Sequence, residues 1–177
     1  AYVSSDGAGG PQLYVMWADT GNSAKVTGLP DSPGSIAWSP DGRSIAYTMR
    51  VPGEGTKLGK APDKPEGAKW AEPLEVIDRV TYRFDGGGYA QPGFDHIFVV
   101  SADGGAARQI TFGNWDDGGP LSWTPDGRAI LFSANRIKEW EREAGNSEIY
   151  SVDVNSSTIT ALTSRNGPDA APAVSPD

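Results

Sequence analysis

Residues 38–47 read Trp-Ser-Pro-Asp-Gly-Arg-Ser-Ile-Ala-Tyr, and residues 123–132 repeat this pattern as Trp-Thr-Pro-Asp-Gly-Arg-Ala-Ile-Leu-Phe. A shorter copy, Val174–Asp177, ends the chain, and Ala1–Ser5 resembles the second half of a further copy. One structural unit is therefore used several times, and we expect the chain to start and to stop inside a unit.

The centre of the repeat has the chemistry of a tight hairpin turn. Pro40 presets the backbone φ to about −65° at the second position of a type I turn, and Gly42 suits the left-handed conformation that follows. Such a turn predicts one strand ending at Trp38 and another beginning near Ile45. Apolar residues in both strands do not alternate cleanly with polar ones, which indicates a sheet covered on both faces.

The same order of four strands recurs along the chain, and repeated four-stranded units are typical of β-propeller blades. We therefore predict an all-β partial β-propeller of four-stranded antiparallel blades, with about three blades' worth of strands. The predicted units are an incomplete blade at 1–30, a blade at 31–113 with an insertion at 51–92, a blade at 114–165 with an insertion at 135–146, and the start of the next blade at 166–177. A short helix is expected over Ile137–Ala144, and the repeated aromatic positions Trp38, Trp123, Tyr47 and Phe132 are expected to be blade core.

Propellers have about four to eight blades, so three do not close a ring. We expect the chain to be part of a longer protein whose other blades complete it, or to close a ring with another copy of itself. A lone monomer is the least expected form, because an open half-ring exposes strand edges and apolar blade faces.

Composition excludes several function classes. The chain has 177 residues, a formal net charge of −8 and no cysteine. An acidic chain is a poor partner for nucleic acid, and without cysteine there is no thiolate metal site and no cysteine nucleophile. No run is long enough to span a membrane. No cofactor or metal is predicted, since Asp41, Asp126 and Asp177 are explained by their place in the turns. The compartment is left open between bacterial cytoplasm and periplasm.

The repeat resembles the WD-like propeller repeat of TolB-type proteins and of the prolyl oligopeptidase superfamily. The stretch Val76–Tyr89, followed by His96–Val100 and Arg108–Thr111, is similar to the acylaminoacyl-peptidase and dipeptidyl-peptidase branch of that superfamily. Further segments are similar to bacterial members of the same branch: Ser133–Arg136, Trp140-Glu141, Asn146–Tyr150, Leu162–Asp169 and Pro172–Asp177.

This resemblance implies an N-terminal propeller that screens substrates and a C-terminal α/β-hydrolase domain that cleaves them. The hydrolase nucleophile would lie in a Gly-x-Ser-x-Gly elbow, and this sequence contains no such motif. We therefore expect no catalytic residue and no peptidase activity in this chain by itself. The single histidine, His96, is predicted to be a hydrogen-bonded structural residue.

The candidate substrate-binding residues lie in the two insertions. Glu139, Glu141 and Glu143 offer carboxylates for the free α-ammonium group of a peptide, which relatives in the resembled branch bind through a glutamate pair. The spacing here differs from that pair, and a solvated charged loop is the alternative.

Arg79, Tyr82, Arg83 and Asp85 belong to the larger insertion, where the resemblance places them near a hydrolase domain or a substrate cavity. Structural pairing of an arginine with Asp85 is the alternative. The glycines 86–88 are expected to form a flexible turn, because no phosphate-binding sequence follows them.

Two other functions remain open at this point. A non-enzymatic TolB-like propeller would act as a protein-interaction module, and a carbohydrate-active propeller would need paired inward carboxylates. The function that we predict over these two is that of a substrate-gating propeller in a serine peptidase that cleaves short peptides.

Overall fold

In the computed structural model, the described residues are 1–5, 7, 9–60, 62–71 and 76–175, and within them every regular element is a β-strand. The third repeat copy lies partly outside the described residues, at Pro176 and Asp177. The strands are β1 (Tyr2–Ser4), β2 (Gln12–Met16), β3 (Ser23–Lys25), β4 (Gly34–Trp38), β5 (Ser44–Pro52), β6 (Arg83–Phe84), β7 (Gly88–Tyr89), β8 (Gly93–Ser101), β9 (Arg108–Gln109), β10 (Asp117–Trp123), β11 (Ala129–Ala134), β12 (Glu148–Asp153) and β13 (Ile159–Ala161).

The strands form three antiparallel sheets in chain order. The first is β1-β2-β3, the second is β4-β5-β8-β9, and the third is β10-β11-β12-β13; β6 and β7 form a separate hairpin. The predicted all-β blade architecture is confirmed. No helix in these ranges has the length and apolar character needed to cross a bilayer.

The second sheet packs against its neighbours with opposite faces, because successive side chains of a strand point to opposite sides. Ile45 and Tyr47 of β5 face the first sheet, whereas Ala46, between them, faces the third. One core contains Leu13, Val26, Ile45, Tyr47, Met49, Phe98 and Val100, and the other contains Ala46, Ile97, Ile110, Ile130, Phe132, Ala134 and Val152. The incomplete alternation in the sequence therefore has the expected cause, a sheet covered on both sides.

Polar contacts tie the second and third sheets together at two levels. The indole Nε1 of Trp123 donates to the carbonyl of Ala37, 3.2 Å away, so the inner strands are linked. Further out, the guanidinium of Arg108 donates to the carbonyl of Val154. Trp38 departs from the prediction of a buried blade core: it is 40% exposed because it lies at the end of β4, the edge strand of its sheet. Tyr47 and Phe132 are fully buried, as predicted.

The two copies of the repeated turn have the same hydrogen bonds. In the first copy, Gly42 N–H donates to Ser39 O, and the Asp41 carboxylate accepts from Ser39 Oγ (2.6 Å) and Arg43 N–H (3.0 Å). Asp126 does the same in the second copy, with Thr124 Oγ1 at 2.6 Å and Arg128 N–H at 3.0 Å. The hydrogen bond from the hydroxyl group lowers the pKa of each aspartate most, and the hydrogen bond from the backbone N–H lowers it next. The repeated aspartates thus stabilise turns.

One feature of the insertions differs from the sequence predictions. The expected helix over Ile137–Ala144 is wrong: the segment forms successive turns, with Arg142 and Glu143 N–H groups both donating to Glu139 O. Eight residues are too few to form a stable helix without packing support, and the Asn135 amide binds the Trp140 and Glu143 carbonyls instead. The glycines 86–88 lie at a turn, as predicted: Gly86 and Gly87 belong to the turn that closes the β6–β7 hairpin, and Gly88 begins β7.

Candidate functional site

The two insertions meet at one end of the second and third sheets. Each connects the second and third strands of its sheet: the larger leaves β5 at Pro52 and returns at Gly93, and the smaller leaves β11 and returns at β12. The rings of Phe94 and Trp140 contact edge to face, with centroids 5.9 Å apart. Because neighbouring blades place equivalent loops side by side, two segments distant in sequence form one surface.

An ion pair bridges the two insertions. Arg79 Nε lies 4.0 Å from Glu141 Oε1, and both side chains are about three-quarters buried, at 27% and 26% exposure. The Arg79 guanidinium also stacks over the Phe94 ring, 4.5 Å from its centroid. The Phe94 ring holds the guanidinium by a cation–π contact. The Arg79–Glu141 distance of 4.0 Å is longer than a charge-assisted hydrogen bond, so a charged group of a ligand could replace either partner of this pair.

Arg79 stands between two cavities. The first, of about 430 Å³, lies inside the larger insertion and is lined by residues including Glu54, Asp78, Arg79, Phe94 and His96. The second, of about 440 Å³, lies between the insertions and is lined by Ile77–Val80 and Lys138–Arg142. Both volumes are in the range of small-ligand sites, and both linings combine carboxylates with cations around apolar side chains. Such a lining suits a ligand that carries both charges.

The remaining predicted site residues are placed as follows. Glu139 lines the second cavity and pairs with Arg142 at 3.3 Å, where both side chains are largely exposed. Glu143 is exposed on the same loop and lines neither of the two cavities. Tyr82 and Arg83 lie exposed at and beside the β6–β7 hairpin, and neither lines either of the two cavities in the described residues.

The expected arginine–aspartate pairing within the larger insertion takes another form. The partner of Arg79 is Glu141 of the other insertion, and Asp85 is an exposed residue of the hairpin turn. Asp85 begins the turn that joins β6 to β7.

A buried polar cluster lies beneath the site and was not predicted as a group. Asp117 is fully buried; it accepts from Arg136 Nε at 2.8 Å and Nη2 at 2.9 Å. His96 Nδ1 lies 3.3 Å from Asp117 Oδ2 and 3.5 Å from Thr111 Oγ1. His96 is thus a hydrogen-bonded buried residue, in agreement with its expected structural role.

Arg136 anchors the start of the smaller insertion. Besides Asp117, its guanidinium donates to the carbonyl of Phe112 at 3.0 Å and lies 5.1 Å from the Trp115 ring centroid. The sequence carried only an indirect signal for this contact. Asp117 begins β10 and Arg136 follows β11, and the two become partners because the sheet pairs Asp117 with Ala134.

Arg50 has the equivalent role for the larger insertion. Its Nη2 donates to the carbonyls of Gln91 (2.7 Å) and Gly93 (2.8 Å), so it ties the end of β5 to the returning chain. Its Nη1 lies 3.7 Å from both Asp95 and Asp116. Burial, and then repulsion from Asp116, raise the pKa of Asp95.

The pKa of Asp117 is lowered despite its burial. Burial alone would raise the pKa of the carboxyl, but hydrogen bonds from His96 and Arg136 and the charge of Arg136 outweigh it. A carboxyl whose pKa is lowered by folding stabilises the folded state at pH values above its pKa in the unfolded chain, which is about 3.9. This stabilisation is lost as the pH falls through the pKa of the group in the folded state.

We expect the difference in unfolding free energy between the wild type and Asp117→Asn to be constant above about pH 5 and to shrink below about pH 4. Denaturant unfolding over this pH range measures it. Asp95→Asn is the matched comparison: its raised pKa predicts the opposite trend, because ionised Asp95 opposes folding. A difference for Asp117→Asn that does not change with pH contradicts the stabilising role of the ionised carboxylate.

The stacked antiparallel sheets, two of them four-stranded, with insertions gathered at one end, define the class of the molecule as a β-propeller. A solved structure of the acylaminoacyl peptidase from Pyrococcus horikoshii superposes with a TM-score of 0.58 at 16% identity, covering 87% of this chain and 22% of that one. At this identity the likeness shows the fold alone.

The family follows from the sequence comparisons. The model of the dipeptidyl peptidase IV (DPP IV) N-terminal region matches residues 70–177, and the chain belongs to this family. The uncharacterized peptidase YuxL of Bacillus subtilis is 33% identical over 135 residues, which cover 76% of this chain and 20% of that protein. Dipeptidyl-peptidase 5 of Porphyromonas endodontalis is 28% identical over 185 residues, which cover 94% and 25%. The chain thus spans a fifth to a quarter of the length of these relatives, and the resemblance noted in the sequence is confirmed.

Proposed function

We propose that this propeller is the substrate-screening region of a serine peptidase that cleaves short peptides, of the dipeptidyl- or acylaminoacyl-peptidase type. The observation that carries the proposal is the Arg79–Glu141 pair, which joins two insertions between two cavities at one end of the sheets. Membership in the DPP IV N-terminal family and the peptidase relatives support it. The nucleophile is carried by a hydrolase domain outside this sequence.

The proposed mechanism combines exclusion with recognition of charge. The insertions narrow the path to the hydrolase nucleophile, so that only short, extended peptides reach it. Glu141 accepts hydrogen bonds from the α-ammonium group of the peptide, and Arg79, held over Phe94, binds a carbonyl or carboxylate oxygen. Glu139 supplies a second carboxylate at the cavity wall.

The partners are proposals as well. The hydrolase domain of the same protein, the remaining blades, or another copy of the chain would cover the open faces of the first and third sheets. Tyr82 and Arg83, which are exposed and lie outside the two cavities, are proposed to contact the hydrolase domain. Neither nucleic acid nor a membrane is proposed as a partner.

The test is Glu141→Gln in the complete enzyme, assayed with matched peptides bearing a free or an acetylated N-terminus. Loss of the carboxylate is expected to raise KM about tenfold for free-amino peptides, the factor for one charge-assisted hydrogen bond, with kcat unchanged. Glu143→Gln, on the same loop but outside the cavities, is the control and should leave both constants unchanged.

Each other outcome has a definite meaning. An unchanged KM for free-amino peptides removes Glu141 from substrate binding. An enzyme that prefers acetylated peptides is of the acylaminoacyl type, and the ammonium role is then wrong. Failure to hydrolyse any short peptide favours the alternative, a non-enzymatic TolB-like propeller that acts as a protein-interaction module.

A further inference from the structure

The first sheet has one strand fewer than the other two. The second and third sheets each begin with a strand, β4 or β10, that pairs antiparallel with the strand after it. The first sheet begins with β1, and no strand of the described residues pairs with the outer edge of β1. A free strand edge presents N–H and C=O groups to which a further strand can bind.

Three pairs of rings show that β1 corresponds to β5 and β11. Tyr2, Tyr47 and Phe132 each stack on the aromatic residue paired with them on the next strand, with ring centroids 5.5, 5.5 and 5.7 Å apart. Tyr47 and Phe132 are fully buried because the preceding sheet covers them, whereas Tyr2 is 38% exposed. The strand that would pair with β1 therefore corresponds to β4 and β10.

The indole of Trp38 differs from that of Trp123 in its hydrogen bonding. Both tryptophans occupy the same position of the repeat and end the first strand of their sheet. Trp123 Nε1 donates to the carbonyl of Ala37, on the first strand of the preceding sheet. Trp38 is 40% exposed, and its indole N–H has no partner among the described residues. The carbonyl that corresponds to that of Ala37 would belong to a strand beside β1.

We propose that the edge of β1 and the Trp38 indole bind an extended strand from the part of the same protein that lies outside this sequence. The chain spans a fifth to a quarter of the length of its relatives, which leaves residues to supply this strand. The two copies within the chain define its chemistry: a large apolar residue, a small residue and tryptophan, followed by Ser or Thr, Pro and Asp. The proposal rests on the propeller fold and not on the peptidase function.

The repeat also determines how this strand lies against β1. In the second sheet, Ala37 lies opposite Ala46, the residue before Tyr47. The residue at the same place in the first sheet is Ala1. The small residue of the bound strand lies opposite Ala1, and its carbonyl accepts a hydrogen bond from Trp38 Nε1.

The test is calorimetric titration of this chain with a synthetic peptide, blocked at both ends, that has the sequence of residues 34–41, Gly-Ser-Ile-Ala-Trp-Ser-Pro-Asp. We expect saturable binding, and slower amide hydrogen exchange at residues 2–4 in the complex. A peptide of the same composition in shuffled order should not bind. Trp38→Phe should bind the first peptide about fivefold more weakly, the factor for one hydrogen bond.

The matched control is Trp123→Phe. It removes a donor whose acceptor lies within this chain, so the affinity for the peptide should not change. Thermal unfolding curves show whether both variants fold. Any of three results overturns the proposal: no saturable binding to the wild type, equal binding of the shuffled peptide, or unchanged affinity in Trp38→Phe. The first two come from the wild type alone.

A second copy of the chain is the other source of such a strand. Val174–Asp177 is a further copy of the repeat, and the Val174 N–H donates to Ser122 Oγ at 3.0 Å, which places this segment beside β10. Sedimentation velocity separates the two sources. We expect the chain without peptide to be monomeric at micromolar concentration. A dimer that an excess of the peptide dissociates would assign the strand to the second copy and overturn its supply by the same protein.

Discussion

Replacing Arg136 by alanine is expected to lower the free energy of unfolding by about 3–5 kcal/mol, the range for removing one partner of a buried ion pair. Asp117 has no exposed surface and receives two hydrogen bonds from this one guanidinium. Without Arg136, the buried carboxylate loses both of these hydrogen bonds and keeps His96 and Thr111 as the remaining partners among the described residues. Urea unfolding monitored by tryptophan fluorescence measures the loss.

The matched control is Arg128→Ala. Arg128 also faces an aspartate, Asp126, but at 4.0 Å and with its side chain 80% exposed, so no measurable change in stability is expected. Arg136→Lys should fall between the two, because lysine keeps the charge and loses the two-pronged contact. If Arg136→Ala is as stable as Arg128→Ala, the cluster does not hold the base of the smaller insertion.

Replacing Gly93 by alanine is expected to cost about 3 kcal/mol, because both the backbone conformation and the available space exclude a side chain. Gly93 has a φ of +121°. A Cβ atom there would collide with the carbonyl oxygen of Val51 and lie 2.8 Å from the Gly53 nitrogen. All of these are backbone contacts at the point where the larger insertion closes, so no side chain can move aside.

Gly86→Ala separates the two causes. Gly86 belongs to the same insertion and has a φ of +78°, but apart from its own chain neighbours no heavy atom of the described residues lies within 4 Å of the place that an alanine Cβ would take. Its substitution should therefore cost only about 1 kcal/mol, the backbone part of the effect. If chemical denaturation shows equal losses of unfolding free energy for Gly86→Ala and Gly93→Ala, the close backbone approach at Gly93 does not contribute.

The fold could be predicted because its main signal is local and repeated. The Pro-Asp-Gly turn is closed by hydrogen bonds within residues 39–44, so the same local chemistry produces the same hairpin in both copies. The covering of both sheet faces was likewise visible in the pattern of Ile45, Ala46 and Tyr47. What failed locally was the helix at 137–144, where Asn135 supplies a competing set of backbone contacts.

The candidate site could be predicted only in part, because its contacts cross between blades. Arg79 and Glu141 were singled out separately by residue type and by their place in insertions, but their pairing depends on how two loops lie side by side. Asp117 and Arg136 were missed for the same reason.

The second sheet, with a separate core on each face, also determines how the molecule opens. The first and third sheets each share one core with it, so either can detach while the other core remains intact. The middle sheet can separate only when both cores are lost, which makes β5 and β8 the last backbone to be released. The middle blade is therefore expected to unfold last. The ends of the larger insertion, at Pro52 and Gly93, and the buried His96 lie on its strands β5 and β8.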